Sequence, residues 1–217
     1  MIENEKRNRG SLVYAIVGVC TLILAVVGAT YAYYQASVSN TNAVTGEAGG
    51  GAAPEMTISK VSSVGTKGNK LIPIDETVAM LNNAAKATNQ CVDKNGYTVC
   101  DVYKVEVTNK TDTATAFDIS LNIPAVKAMP YLSAITMGTT NNTVTAIDRI
   151  GTEANGTARA IDGKICTTNS VTNAKTTACY FMVYIKNKDS AQTDSSTYHG
   201  TVTAESTIGG GRIQAEF

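Results

Sequence analysis

Residues 91–109, CVDKNGYTVCDVYKVEVTN, are the stretch on which the reading of the fold turns. Asn95-Gly96 is the strongest two-residue hairpin signal, because both central positions of a type I′ turn need positive φ. A turn centred there pairs Lys94 with Tyr97, Asp93 with Thr98, Val92 with Val99 and Cys91 with Cys100. Alternation away from the turn makes Cys91/Cys100 a non-hydrogen-bonded pair, whose Cα atoms approach to about 4.5 Å. That separation is at the short end of what a disulfide accepts, so register and bridge specify one another. Such a bridge contributes roughly 2–3 kcal/mol in the chain-entropy account. The returning strand continues over residues 102–108 with Tyr103, Val105 and Val107 on one face.

The text on either side is written in the same two-residue period. Upstream, residues 56–61, MTISKV, alternate cleanly, and residues 70–74 suggest a second short strand. Residues 75–88 break the pattern: Val78, Leu81 and Ala85 recur at helical spacing behind Asp75, which predicts a short helix capped by that carboxylate. Downstream, residues 109–113 form a turn. Phe117, Ile119, Leu121 and Ile123 then alternate with Asp118, Ser120 and Asn122, a half-buried antiparallel strand stopped by Pro124. Residues 131–137 and 143–150 are weaker strands. Phe181, Val183 and Ile185, residues 201–207, and residues 212–217 after the triple glycine Gly209-Gly210-Gly211 complete the set. Eight or more short strands at this spacing predict a mainly β domain over residues 56–217, an antiparallel β-sandwich or jelly roll with one short helix.

Five cysteines are present. Cys20 lies in an apolar run and reads as a small hydrophobe. The others fall into two local pairs, Cys91/Cys100 and Cys166/Cys179, an even count that predicts two disulfides in an oxidising compartment. Neither pair has the spacing of a structural zinc knuckle. The second pair flanks a nearly all-polar segment and is read as clamping the base of a long loop.

The N-terminus supplies the compartment. Residues 12–29, LVYAIVGVCTLILAVVGA, carry no charge and follow Lys6, Arg7 and Arg9. As a helix they span about 27 Å at roughly 1.5 Å per residue, close to the ~30 Å of a bilayer core. The basic residues place the leader, residues 1–10, in the cytoplasm and the remainder outside. Residues 11–34 are therefore read as a signal or transmembrane helix. Residues 35–55, small and glycine-rich, are read as a flexible linker, with the alternation of Tyr34, Ala36 and Val38 marking a strand in search of a sheet edge. Lys+Arg and Asp+Glu are equal in number over the chain, 18 each. Without the leader the balance stays within one charge of neutral, which gives no electrostatic reason for a nucleic-acid partner.

Chemistry is sparsely marked. The single histidine, His199, stands beside Gly200. There is no HExxH, GxSxG or P-loop pattern, so the best-marked zinc protease, esterase and nucleotide sites are missing. Asp93, Asp101 and Glu106 lie near one hairpin, as carboxylates on solvated strand faces do. Scattered Asp and Asn side chains are oxygen donors of the kind calcium takes, with no loop motif gathering them. No cofactor and no enzymatic activity are expected.

The segment AVVGATYAYY, residues 25–34, followed by a polar Ser/Thr/Asn stretch, resembles the SipW-type signal peptide of TasA/camelysin-like proteins. In that family an apolar run ends in Gly-x-Thr-x-Ala before an aromatic pair or Ala-Phe. The resemblance implies cleavage by a dedicated signal peptidase between Ala32 and Tyr33. It also implies a secreted jelly-roll or β-sandwich domain at a Gram-positive cell surface, with biofilm matrix fibres among its relatives' products. The metalloprotease activity associated with camelysins is not implied here, where HExxH is absent, and the two cysteine pairs depart from the founding fibre-forming members. The resemblance leads to a non-enzymatic surface structural protein. Its released N-terminus, with Tyr33, Tyr34, Ala36 and Val38, would add as a donor strand to a neighbouring subunit and drive self-assembly into fibres. Two other readings remain. One is a type IV-like pilin cut after Gly10, although Ala15 stands where pilins usually carry Glu. The other is an uncleaved surface adhesin held by the N-terminal helix.

Overall fold

A computed structural model of the chain describes residues 45–48, 54–88, 90–188, 197–208 and 211–217. The leader, the apolar helix, the Ala32/Tyr33 cleavage site and the donor segment of Tyr33, Tyr34, Ala36 and Val38 all lie outside the described residues. Among the described residues no helix is long and apolar enough to cross a membrane. The described residues form nine strands and one helix in order: β1 (Thr45–Ala48), β2 (Glu55–Lys60), α1 (Val78–Ala85), β3 (Cys100–Thr108), β4 (Phe117–Ile123), β5 (Leu132–Gly138), β6 (Ile161–Thr167), β7 (Thr176–Ile185), β8 (Thr201–Ser206) and β9 (Gly211–Glu216). They form two antiparallel sheets, one ordered β1-β9-β8-β4-β6 and the other β2-β3-β7-β5. The chain is thus mainly β, as its alternation predicts.

Period-two alternation accounts for the core between the sheets. From the five-stranded sheet it takes Phe117, Ile119, Leu121 and Ile123 of β4, Val202 and Ala204 of β8, and Ile213 and Ala215 of β9. The four-stranded sheet contributes Met56, Ile58, Tyr103, Val105, Val107, Phe181, Val183 and Ile185 to the same cluster. Phe117 and Phe181 are fully buried, and each contributes roughly 2–3 kcal/mol by leaving water. Strand β3 is buried on its other face too. Cys100 and Val102 join Met182 and Tyr184 of β7, Leu81, Ala84 and Ala85 of α1, and Cys91, Val99 and Val144 in a second apolar cluster outside the four-stranded sheet.

Two expected strands do not form, and one strand appears that was not expected. Residues 70–74 are not a strand: Leu71 bridges Thr98 and Ile74 bridges Lys186, both parallel and both isolated. Leu71 enters the main core and Ile74 the second, so the segment crosses between cores, and Pro73 has no N–H for a ladder. Residues 143–150 likewise make only the bridge from Ile135 to Arg149, because Val144 belongs to the second core and Ile150 to the main one. Conversely β6, with its Asp162-Gly163, carries no clean strand pattern yet pairs with β4 across a bulge. A Cβ on Gly163 would stand 3.0 Å from the Gly151 nitrogen; glycine is what lets the 151 loop lie against this strand.

The helix is shorter than its periodicity suggests and starts later. Its N-cap is Thr77, not Asp75: the Thr77 hydroxyl accepts from the Met80 N–H at 3.2 Å. Asp75 is engaged elsewhere, accepting from the Asn187 side chain at 2.7 Å. Val78 is exposed, and the buried stripe is Leu81, Ala84 and Ala85.

The 91–100 hairpin forms with a different turn. Asp93 N–H donates to the Tyr97 carbonyl and Gly96 N–H to the Asp93 carbonyl, which makes a three-residue loop of Lys94, Asn95 and Gly96. Only Gly96 among them has positive φ, +83°. This is the type I turn followed by a left-handed glycine, the next most common hairpin connection. Asp93 selects it, because its carboxylate accepts from the N–H groups of Asn95 and Tyr97 at 2.9 and 2.7 Å. The register therefore moves by one: Val92 pairs Thr98, and the Cys91 carbonyl accepts from Val99 rather than facing Cys100. The disulfide closes all the same, with Cα atoms 4.9 Å apart and Cys91 held at φ +67°.

The second bridge, Cys166–Cys179, spans 6.5 Å between Cα atoms. It does more than close a loop, since Cys166 lies on β6 and Cys179 on β7, one in each sheet. Replacing either cysteine pair by serine is expected to lower stability by about 3 kcal/mol. The two losses should add, because the bridges sit in separate clusters. Urea unfolding of the two double variants and the quadruple variant measures both effects.

Candidate functional site: two polar clusters at one end of the four-stranded sheet

Strand β3 begins and β7 ends at the same end of their sheet, with Cys100 opposite Tyr184 and Asp101 opposite Val183. Alternation sends Asp101 and Tyr103 inward and Tyr184 outward. A polar cluster stands on each face at this end.

The outer cluster is centred on Glu76, just before α1. Its side chain is only 4 % exposed and lies 2.6 Å from the Arg149 guanidinium and 2.7 Å from the Lys186 ammonium. The Tyr184 hydroxyl donates to it at 2.6 Å. Glu153 bridges the same two cations from the solvent side. Burial alone would raise the Glu76 pKa, but the hydrogen bonds from Arg149, Lys186 and Tyr184 outweigh it and hold the carboxyl down to about 2. Burial and the neighbouring carboxylate push the Tyr184 phenol up, so it stays a donor. Two cations and a phenol satisfy one carboxylate from two separate segments, Arg149 from one and Tyr184 and Lys186 from the end of β7. The cluster is a fastening for the second core.

The inner cluster joins the two sheets. Asp101, on β3, is buried. The hydroxyl of Tyr198, on the segment leading into β8, donates to Asp101 Oδ2 at 2.6 Å. The Tyr103 and Tyr198 hydroxyls are 3.1 Å apart. Lys60, the last residue of β2, places Nζ 2.5 Å from Asp101 Oδ1 with its side chain 26 % exposed. That approach lacks hydrogen-bond angles, and Oδ1 is left as the one buried side-chain oxygen or nitrogen without a hydrogen bond among the described residues. Aromatic rings wall the cluster: Tyr103 stacks on Phe181 at 5.1 Å, and Phe217 closes on Tyr103 at 4.6 Å. Burial, then its neighbours Tyr103 and Asp101, push the Tyr198 phenol well up, and burial and Asp101 do the same for Tyr103. Both phenols keep their protons.

Clefts open elsewhere among the described residues, these two among them. One of about 600 Å³ lies beside α1, with Ile72, Ile74, Met80 and Val92 among its walls and Asp75, Asp93 and Lys94 at its polar positions. Asp75 and Asp93 are already used, by Asn187 and by the hairpin turn. The other, about 520 Å³, is the outer face of the five-stranded sheet. There the register aligns Glu216, Thr201, Asn122 and Asp162 in one rung and Gln214, Thr203, Ser120 and Lys164 in the next.

The four cysteines are paired as their spacing predicts. The carboxylates Asp93, Asp101 and Glu106 do not converge: Asp93 caps a turn, Asp101 joins the inner cluster, and Glu106 pairs with Lys104 at 2.7 Å. His199 is exposed. Among the described residues no three of His, Cys, Asp and Glu are grouped so as to hold a metal ion. Sequence reasoning missed Glu76, Arg149, Lys186, Lys60 and Tyr198. Only Lys60 left a trace, as a charged residue at an inward position of an alternating strand.

No protein-family model matches the chain, and no curated protein matches it.

Glu76 titrates lower in the folded than in the unfolded chain, so the unfolded state takes up its proton first. Its contribution to stability is complete above about pH 4.5 and drains away as pH falls toward about 2. Glu76→Gln is expected to cost about 3 kcal/mol at pH 7, by leaving two part-buried cations short of a partner. It should also flatten the loss of stability between those pH values. Urea midpoints measured across the range check both.

Proposed function

We propose that the protein is a non-enzymatic structural component of the cell surface, secreted or membrane-tethered, of the TasA/camelysin-like kind. The observation that carries this reading is the pair of disulfides built into the two cores, since such bridges belong to proteins that mature in oxidising compartments. The uncharged run of residues 12–29 behind a basic leader supplies the route of export. We read the two antiparallel sheets on one core as a β-sandwich of the jelly-roll type.

Self-assembly fits the edge of the five-stranded sheet. Strand β1 pairs with β9 there, Thr45 opposite Gln214 and Ala48 opposite Gly211, within the stretch read from sequence as linker. An edge that accepts four residues of this segment offers main-chain partners for strand addition. In this reading the signal peptidase cuts after Ala32, and residues 33–40 then add to a neighbouring subunit.

The N-terminal residue of the protein isolated from its host discriminates the readings. Tyr33 is the expected result. Ser11 would replace the proposal with a pilin, and Met1 or Ile2 with an uncleaved adhesin. Deleting residues 33–40 from the mature protein should abolish polymers in electron micrographs; unchanged fibres would remove the donor-strand role.

A further inference from the structure

We propose that Lys60 and Asp101 are the two halves of an intramolecular amide cross-link, formed by the protein itself between β2 and β3. Strand alternation puts them together. Lys60 pairs with Tyr103 in the ladder, so Asp101 is its diagonal neighbour on the same, inward face. Nζ lies 2.5 Å from Oδ1 and the Asp101 side chain is 7 % exposed, so the reacting groups are already in contact and largely out of water.

The orphaned atom is what separates this pair from an ordinary ion pair. Buried polar atoms are hydrogen-bonded almost without exception. Asp101 Oδ1 is not, although an amine touches it. Amide formation removes that atom. The step begins with one proton passing from the ammonium to the carboxylate it touches, which gives an amine and an acid. The Nζ lone pair then adds to Cγ, and charge develops on Oδ2, where the Tyr198 hydroxyl already donates at 2.6 Å. Oδ1 collects two protons and leaves as water, which the partly exposed Lys60 stem lets escape. One ammonium and one carboxylate become one amide and one water, with no oxidant, cofactor or second protein. The remaining carbonyl oxygen, Oδ2, keeps its hydrogen bond from Tyr198.

The cross-link would close a loop containing α1 and the Cys91–Cys100 hairpin. It would also block unzipping of β2 from β3 beyond Lys60 when the N-terminal side of the domain is pulled. It does not depend on whether the protein forms fibres.

Tryptic digestion of the full chain after reduction and alkylation provides the test. The expected product is a branched peptide containing uncleaved Lys60 and Asp101, lighter than its two parts by one water, and absent from Lys60→Arg and Asp101→Ala. Recovery of the wild-type Lys60 and Asp101 peptides only as separate linear species overturns the proposal. So does a loss of water that persists in Lys60→Arg, which would place the dehydration elsewhere, as in an imide at Asp162-Gly163. The wild-type digest is decisive even where a variant folds poorly.

Discussion

The structure depends on β3 being buried on both faces. Its nine residues pair with β7 along their whole length and with β2 over six. Tyr103, Val105 and Val107 face the five-stranded sheet while Cys100 and Val102 face α1 and the hairpin. An antiparallel strand with one wet face would leave α1 and the hairpin nothing apolar to pack on. Because its outward face stays apolar at Cys100 and Val102, a second core grows outside the sheet, and α1 and the Cys91–Cys100 hairpin cover it.

Covering that end creates the electrostatic problem that the two polar clusters solve. The segments that cross it bring Glu76, Arg149 and Lys186 out of water together, and the sheet below presents Asp101 and Lys60. Charges so placed are stable only when paired and hydrogen-bonded. On the outer face the solution is complete, since Glu76 has a guanidinium, an ammonium and a phenol. On the inner face it is incomplete by one oxygen. Neighbouring sites with similar residues thus differ in character, one fully hydrogen-bonded and the other short of one hydrogen bond.

The two disulfides act at different levels of this architecture. Cys91–Cys100 belongs to a single hairpin and stiffens the cover of the second core. Cys166–Cys179 joins β6 to β7 across the main core, holding the sheets together where the chain passes between them through a polar loop. Asn109 anchors that loop: its side-chain N–H groups donate to the carbonyls of Thr113 and Val171, and its main chain bonds Ala174 and Lys175. A buried Asn with every group used is what lets a nearly all-polar segment lie against the sheet.

Residues that repeat every second position determined by themselves that this chain is β-rich, and β2, β4, β7 and β8 fall where Ile58, Ile119, Val183 and Val202 predict them. Cysteine spacing likewise determined which thiols pair. Local chemistry reached less far. Asn95-Gly96 announced a hairpin, but the carboxylate of Asp93 chose the turn and shifted the register. Leu81 announced a helix, but Asp75 was drawn to Asn187 and the cap passed to Thr77. Only the tertiary structure decided that β6 exists despite Asp162-Gly163, that Cys166–Cys179 joins two sheets, and that Lys60 meets Asp101. The physical reason is range. Periodicity, capping and spacing are properties of neighbours in sequence, whereas sheet order and buried charge pairing are settled by segments tens of residues apart competing for the same surface.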